Sequence, residues 1–310
     1  MGEYKLIINS KNDYFGFLPI EKNIVFHGGM IEVVNNFHNL NNSIKNKLNI
    51  DNFIYLPTLV SEPVAINRNG FIKSNGKNNI PEIKKKDFIQ RLPYSHKIWL
   101  EEKPETGSLR EYDRALLMHL TGYIHGYRLQ FYDWFFDGRI MMSSFHDIII
   151  SDNRISEFFS HSFKKWKKWN NEIQRKFINI LHMLCRAESY LWVWEKFLIY
   201  YMITDALYLI SKRLYLDKST DRHERIKDMC SHYGLKYYEP EVEKIICLRN
   251  DLVCESLWDG TQPCTGGSQE SYKAVESLKR ICLRLIPAVL NYDIDYISTD
   301  WRPYGTYVFE

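Results

Sequence analysis

Four side chains in one short stretch of this 310-residue chain carry usable chemistry: Arg249, Asn250, Cys254 and Glu255. A guanidinium is always charged and presents a planar fork of donors that suits an oxyanion. A free thiol titrates near ~8.5, and an adjacent cation favours the thiolate. Asn250 and Cys254 are four apart, so a helix puts them on one face. The surrounding pattern predicts that helix over 240–260. Pro240 suits the first turn, where its missing N–H costs nothing. Glu239, Glu241 and Glu243 favour the positive end of the helix dipole. Val242, Ile245, Ile246, Leu248, Leu252, Val253 and Leu257 supply an apolar face, and Gly260 is the expected stop. Arg-Asn in mid-helix, followed one turn later by Cys-Glu, is more than packing requires. The structural alternative is an ion pair from Arg249 to Glu195 or Asp205, two carboxylates that need a partner in their apolar setting.

A second stretch joins charge to aromatic surface: Lys164-Lys165-Trp166-Lys167-Lys168-Trp169. Lysines interleaved with tryptophans bind phosphates and stack on bases in single-stranded nucleic-acid sites. The competing reading is an amphipathic helix whose tryptophans pack while its lysines stay in water. The two tryptophans are three apart, on one helical face, which favours packing.

The elements that must position these residues change character along the chain. Residues 1–105 read mainly as short strands. His27-Gly28-Gly29 separates two of them as a hairpin turn, and Asn69-Gly70 and Asn75-Gly76 are further tight-turn signals. Residues 36–49 are Asn-rich, a short helix or a loop. The segment 78–86, with Pro81 and a run of three lysines, reads as a solvated connection. Ser108 and Glu111 form a capping-box pattern ahead of a helix over 109–131. Gly122 and Gly126 would give that helix a smooth face for close packing. Residues 155–186 read as helical in one or two pieces, 188–216 as a long helix central to a bundle, and 222–233 as a short helix stopped by Gly234. A last helix spans 269–290, with Pro287 near its end. The aromatic tail, 304–309, reads as a strand returning to the sheet of the first half.

Composition narrows the class. Hydrophobic residues at 45% and charged residues at 25% describe an ordinary globular protein. A formal net charge of +3 does not by itself argue for nucleic acid. Aromatics are abundant, with 21 Tyr, 17 Phe and 8 Trp, which points to large cores. The six cysteines form no CxxC and no Cys/His pairing, so no metal and no cofactor is expected. The longest apolar run, 190–210, is broken by Glu195, Lys196 and Asp205, so no membrane span is expected. No apolar core follows Met1 as in a signal peptide. A cytoplasmic protein with reduced thiols is the expectation.

Arg249 and Asn250, with the spacer after them and the helix order around them, resemble the motif of the HEPN superfamily (higher eukaryotes and prokaryotes nucleotide-binding). That motif is Arg, often followed by Asn, and a short spacer before a His. Here the His position falls on Cys254; longer spacers reach Glu255 or Ser256. The resemblance covers roughly the C-terminal half. It implies a helical bundle, a metal-independent endoribonuclease of a bacterial toxin or anti-phage system, and a homodimer that brings two motifs into one cleft. Arg249 would stabilise the charge on the phosphate, Asn250 would orient the phosphate or the ring, and Cys254 would stand in for the proton-moving His. Glu255 and Lys164, Lys165, Lys167 and Lys168 would contact RNA. The alternative is a catalytically inactive module that dimerises and binds a partner protein or a nucleotide. The expected fold is α+β: a β-rich N-terminal domain with a bridging helix over 1–150, then an all-α, HEPN-like bundle with an extended tail over 151–310.

Overall fold

The computed structural model describes residues 14–48, 51–54, 65–66, 72–73, 92–101, 112–132, 139–146, 148–216, 221–263, 266–300 and 307–309. In chain order, strands β1 (Tyr14–Gly16), β2 (Ile24–Phe26) and β3 (Gly29–Val33) precede helix α1 (Phe37–Lys45). Strands β4 (Phe53–Ile54), β5 (Ala65–Ile66), β6 (Ile72–Lys73) and β7 (His96–Leu100) lead to helix α2 (Tyr112–His125). After β8 (Gln130–Phe131), β9 (Ile140–Met141) and β10 (Ile148–Ile149) come helices α3 (Asp152–Trp166), α4 (Asn171–Ala187) and α5 (Val193–Leu214). Then follow α6 (Arg225–Tyr233), α7 (Glu239–Cys254), α8 (Gln269–Val289), the single turn α9 (Asp295–Ser298) and strand β11 (Tyr307–Val308).

The architecture is α+β, as expected: a small antiparallel sheet near the N-terminus and a helical C-terminal region. The sheet runs β2-β3-β7-β1-β8. Its hairpin turns at His27-Gly28, where Gly28 takes a φ of 100°. Period-2 alternation sorts its faces. Phe15, Ile31 and Ile98 point inward and are buried, while Val25 and Trp99 are exposed on the other side. β5 and β6 also pair antiparallel, flanking Asn69-Gly70. The capping box at Ser108, the turn at Asn75-Gly76 and the connection 78–86 lie outside the described residues.

The sheet's inner face meets helices directly. Phe26 packs against Phe159 and Phe163 of α3, with ring centroids 6.1 and 5.8 Å apart. One core therefore runs from Phe15 and Ile98 through α2, α3, α4 and α5 to α8. A smaller core gathers Phe17, Phe37, Ile44, Ile54, Leu92, Ile140 and Met142.

Several expected boundaries move. Helix α2 ends at His125, not near 131, because Gly126 turns the chain with a φ of 74° and the next residues pair with β1 (Phe15 opposite Phe131). A Cβ on Gly126 would collide with the Ser144 side chain, while Gly122 lets Cys185 of α4 approach closely. The 155–186 helix is two pieces. Asn170 caps the second, its Oδ1 accepting from the N–H groups of Glu172 and Ile173 at 3.1 and 3.0 Å. The central helix is α8 rather than α5: its residues 281–289 are all buried, and α5, α6, α7 and α9 pack on it. Helix α5 keeps one open stripe, with Met202 and Leu209 exposed. The tail strand β11 pairs in parallel with β10 and does not join the five-stranded sheet. No described helix is long and apolar enough to cross a membrane.

Candidate functional site

Helix α7 buries Val242, Ile245 and Leu248 against α8, which turns the neighbouring face outward. Arg249 and Asn250 are half-buried there, and Cys254 is exposed on the last turn. The Arg249 Nη1 donates to Asn250 Oδ1 at 2.9 Å and lies 3.8 Å from Cys254 Sγ. The expected trio therefore does come together, with Arg249 as its hub.

The helix stops at Cys254 and not at Gly260. Ser256 takes a left-handed φ of 58°, and the Leu257 N–H donates back to the Asp251 carbonyl at 3.0 Å. Asp259 and Gly260 form a tight turn with φ values of 52° and 73°, across which Trp258 and Thr261 exchange backbone bonds of 2.7 and 3.0 Å. Asp-Gly favours a turn with two positive φ angles. The turn delivers Trp258 into the core beside Phe197, at a centroid distance of 5.3 Å. Burying an indole outweighs extending an exposed helix end. Lys244 pairs with Asp259, and Asp259 accepts the Ser268 N–H at 2.6 Å, which ties this loop to both flanking helices. Glu255 falls on the exposed residue after the helix, and among the described residues its carboxylate meets neither Arg249 nor Asn250.

The structural ion pair considered for Arg249 does not form. Asp205 pairs with Arg225 at 3.0 Å. Glu195 accepts the Trp192 N–H at 3.0 Å, at the start of α5. Among the described residues, no carboxylate comes within ion-pair distance of Arg249. The surroundings are cationic instead. Burial first, then Asp205, raise the Tyr201 phenol, while Arg249, Arg222 and Arg225 act in the opposite sense. Arg225 also lies 4.9 Å from the centroid of the Tyr208 ring. Arg222, Arg225 and Arg249 thus share one ledge where α5, α6 and α7 meet, with Asp205 spent on one of them. Residues 222–225, Arg-His-Glu-Arg, read in sequence only as the start of a short helix. Their two arginines were the available signal.

The lysine–tryptophan stretch resolves differently. Trp166 and Trp169 are buried, and the Trp166 Nε1 donates to Asp113 at 3.0 Å. Lys167 pairs with the same carboxylate at 2.6 Å. Lys165 lies over the Tyr215 ring at 5.3 Å. Lys164, Lys167 and Lys168 line a cleft of about 400 Å³ with His27, Glu101 and Phe163, to which α7 contributes nothing. The tryptophans offer no stacking surface, and these lysines do not join the Arg249 ledge.

The described cysteines are all free thiols. Burial pushes Cys185, Cys230 and Cys282 up to about 12, which leaves Cys247 and Cys254 as the exposed ones. Among the described residues, no three His, Cys, Asp or Glu side chains gather as a metal site. Comparison with family models, curated proteins and solved structures finds no match for this chain.

Proposed function

We propose that the chain is an RNA-targeting protein of HEPN type, in which the α5–α6–α7 ledge holds a phosphate and Arg249 is its principal contact. The observation that carries this reading is the half-buried Arg249, held by Asn250 and Cys254, with Asp205 and Glu195 both committed elsewhere. A fixed guanidinium without a carboxylate of its own is suited to an anion from outside. The activity we assign is metal-independent endoribonucleolysis, as part of a bacterial toxin or anti-phage system. The 2′-oxygen attacks phosphorus, the P–O5′ bond breaks, one proton leaves the 2′-hydroxyl and one reaches O5′. Arg249 stabilises the charge that builds on the phosphate. Cys254 occupies the proton-moving position.

A second reading, a catalytically silent RNA- or partner-binding module, rests on a specific observation. No imidazole contacts Arg249 among the described residues, and His is the side chain suited to proton transfer near neutral pH. Dimerisation enters both readings. Met202 and Leu209 are exposed two turns apart on α5, with the partly buried Ile199 and Ala206 beside them, on the helix that also carries Tyr201 and Asp205. A second copy on that stripe would set two ledges close together.

The test is RNA cleavage by the chain, by Cys254→His and by Arg249→Ala, with light scattering to report the oligomeric state. Cleavage by the chain and none by Arg249→Ala supports the enzyme. Cleavage by Cys254→His alone assigns a ribonuclease scaffold that lacks its proton shuttle. If no form cuts but the chain binds RNA through Arg249, the binding module replaces the enzyme. If the chain neither cuts nor binds RNA, both readings fail.

A further inference from the structure

The cleft beside α3 is walled by parts of the chain that meet only in the tertiary structure. One wall is the β2–β3 turn, His27-Gly28, with Leu100 and Glu101 at the end of β7. The other is Phe163 and Lys164 of α3, Lys167 and Lys168 just after it, and Asp113 of α2. Its volume, about 400 Å³, lies within the range of small-molecule sites.

The walls are fixed by contacts of their own. The His27 N–H donates to Ser160 Oγ of α3 at 2.9 Å, and the Glu101 N–H donates to the Gly28 carbonyl at 3.0 Å. Phe26 packs on Phe163, and a Cβ on Gly28 would come 3.2 Å from the same ring. The turn is thereby held against α3 without using the His27 imidazole or the ammonium groups of Lys164 and Lys168.

The charges in the lining do not balance. Asp113 is committed to the Trp166 indole at 3.0 Å and to Lys167 at 2.6 Å. Lys164 and Lys168 pair with no carboxylate among the described residues. Glu101, the other carboxylate of the lining, forms no ion pair with any of the three lysines. Two like charges on one wall repel, and an anion between them relieves that repulsion. A phosphate monoester carries about two negative charges at pH 7 and so matches two ammonium groups, whereas a carboxylate carries one. Lysine is a compact point charge that binds phosphate oxygens, and an imidazole ring nitrogen adds a donor. Phe163 and Leu100 give the same cleft apolar surface. We propose that this cleft binds a small phosphate ester, its phosphate on Lys164, Lys168 and His27 and its organic part against Phe163 and Leu100. The site is independent of the α7 ledge.

The test is calorimetric titration of the full chain with phenyl phosphate, with inorganic phosphate and phenol as the two half-ligands and benzoate as the monoanion. Phenyl phosphate binds, inorganic phosphate competes with it more weakly, and phenol and benzoate bind more weakly still. Lys164→Ala and Lys168→Ala each weaken phenyl phosphate about tenfold, the scale of one charge-assisted hydrogen bond. Glu101→Gln, which removes an unpaired negative charge from the lining, tightens it, and Arg249→Ala leaves it unchanged. Circular dichroism establishes that each variant is folded. Four results overturn the proposal: no binding of phenyl phosphate at millimolar concentration, binding that survives the combined Lys164→Ala and Lys168→Ala change, weaker binding after Glu101→Gln, or benzoate bound as tightly as phenyl phosphate. Binding of phosphatidic acid vesicles or of RNA, with none of phenyl phosphate, overturns it as well, since the phosphate would then belong to a lipid surface or a strand.

Discussion

At the end of α3 four lysines flank two tryptophans, whereas between α5, α6 and α7 three arginines act electrostatically on Tyr201. In sequence, the lysine–tryptophan stretch and Arg249 read as nucleic-acid chemistry, whereas Arg222 and Arg225 read only as the start of a short helix. In the first, the aromatic rings turn inward and Asp113 binds both Trp166 and Lys167. In the second, Asp205, the carboxylate that acts on Tyr201, is paired with Arg225, and Arg249 meets an amide and a thiol. The difference is one of partners rather than of residue types. A cation whose carboxylate lies beside a buried indole serves the core, and a cation without one is open to an external anion.

The sheet side, packed into the core, should respond to perturbation through stability, and the ledge through binding. The largest expected effect is that of acid. Burial holds His96, His125 and His146 down to about 4, against an ordinary value of 6.5. Lys22, and His96 and His146 beside it, add to the effect at His125, whereas backbone bonds partly oppose it at His96 and His146. The unfolded chain therefore binds more protons between pH 6.5 and 4. Their contribution to stability is present above pH 6.5 and is lost as pH falls through 4, at about 3 kcal/mol for each imidazole. Urea unfolding across this range checks it, and a flat profile would sink it.

Next in size is Trp166→Ala, expected to cost about 4 kcal/mol by leaving a cavity and an unpaired Asp113 oxygen. Equal stability of this variant and the parent in urea would mean that the tryptophan is not committed to the core. Asp113→Asn should cost about 1–2 kcal/mol, less than a fully buried pair because Lys167 is partly exposed. Arg249→Ala is the smallest in stability, within about 0.5 kcal/mol, because the half-exposed guanidinium is in no ion pair among the described residues. It should nevertheless weaken RNA binding about tenfold, whereas Lys168→Ala changes RNA binding little. A reversal of that pattern, with Lys168 governing RNA binding, would move the interface to α3.

Much of the site was legible before folding. The α7 helix, its start at Pro240 and the approach of Arg249, Asn250 and Cys254 follow from spacing and capping, which are local. The helix end was misread because Gly260 is a good stop, but Trp258 had a better place in the core than on an exposed turn. The extent of α2 was misread for a related reason: residues 130–131 were claimed by β1. Neither competition is visible in a local window.

The sequence by itself determined the α+β order, the hairpin at His27-Gly28, the stop at Gly234 and the burial of Trp166 and Trp169, although Trp169 falls in the turn after α3 and not on its face. Each depends on backbone preferences or periodicity within a few residues. Only the tertiary structure decided which carboxylate meets which arginine, that α8 and not α5 is the buried centre, and that the His27-Gly28 turn shares a cleft with Lys164, Lys167 and Lys168. These depend on pairings between residues far apart in the chain, chosen by which charges and apolar surfaces can be satisfied together once the helices are packed.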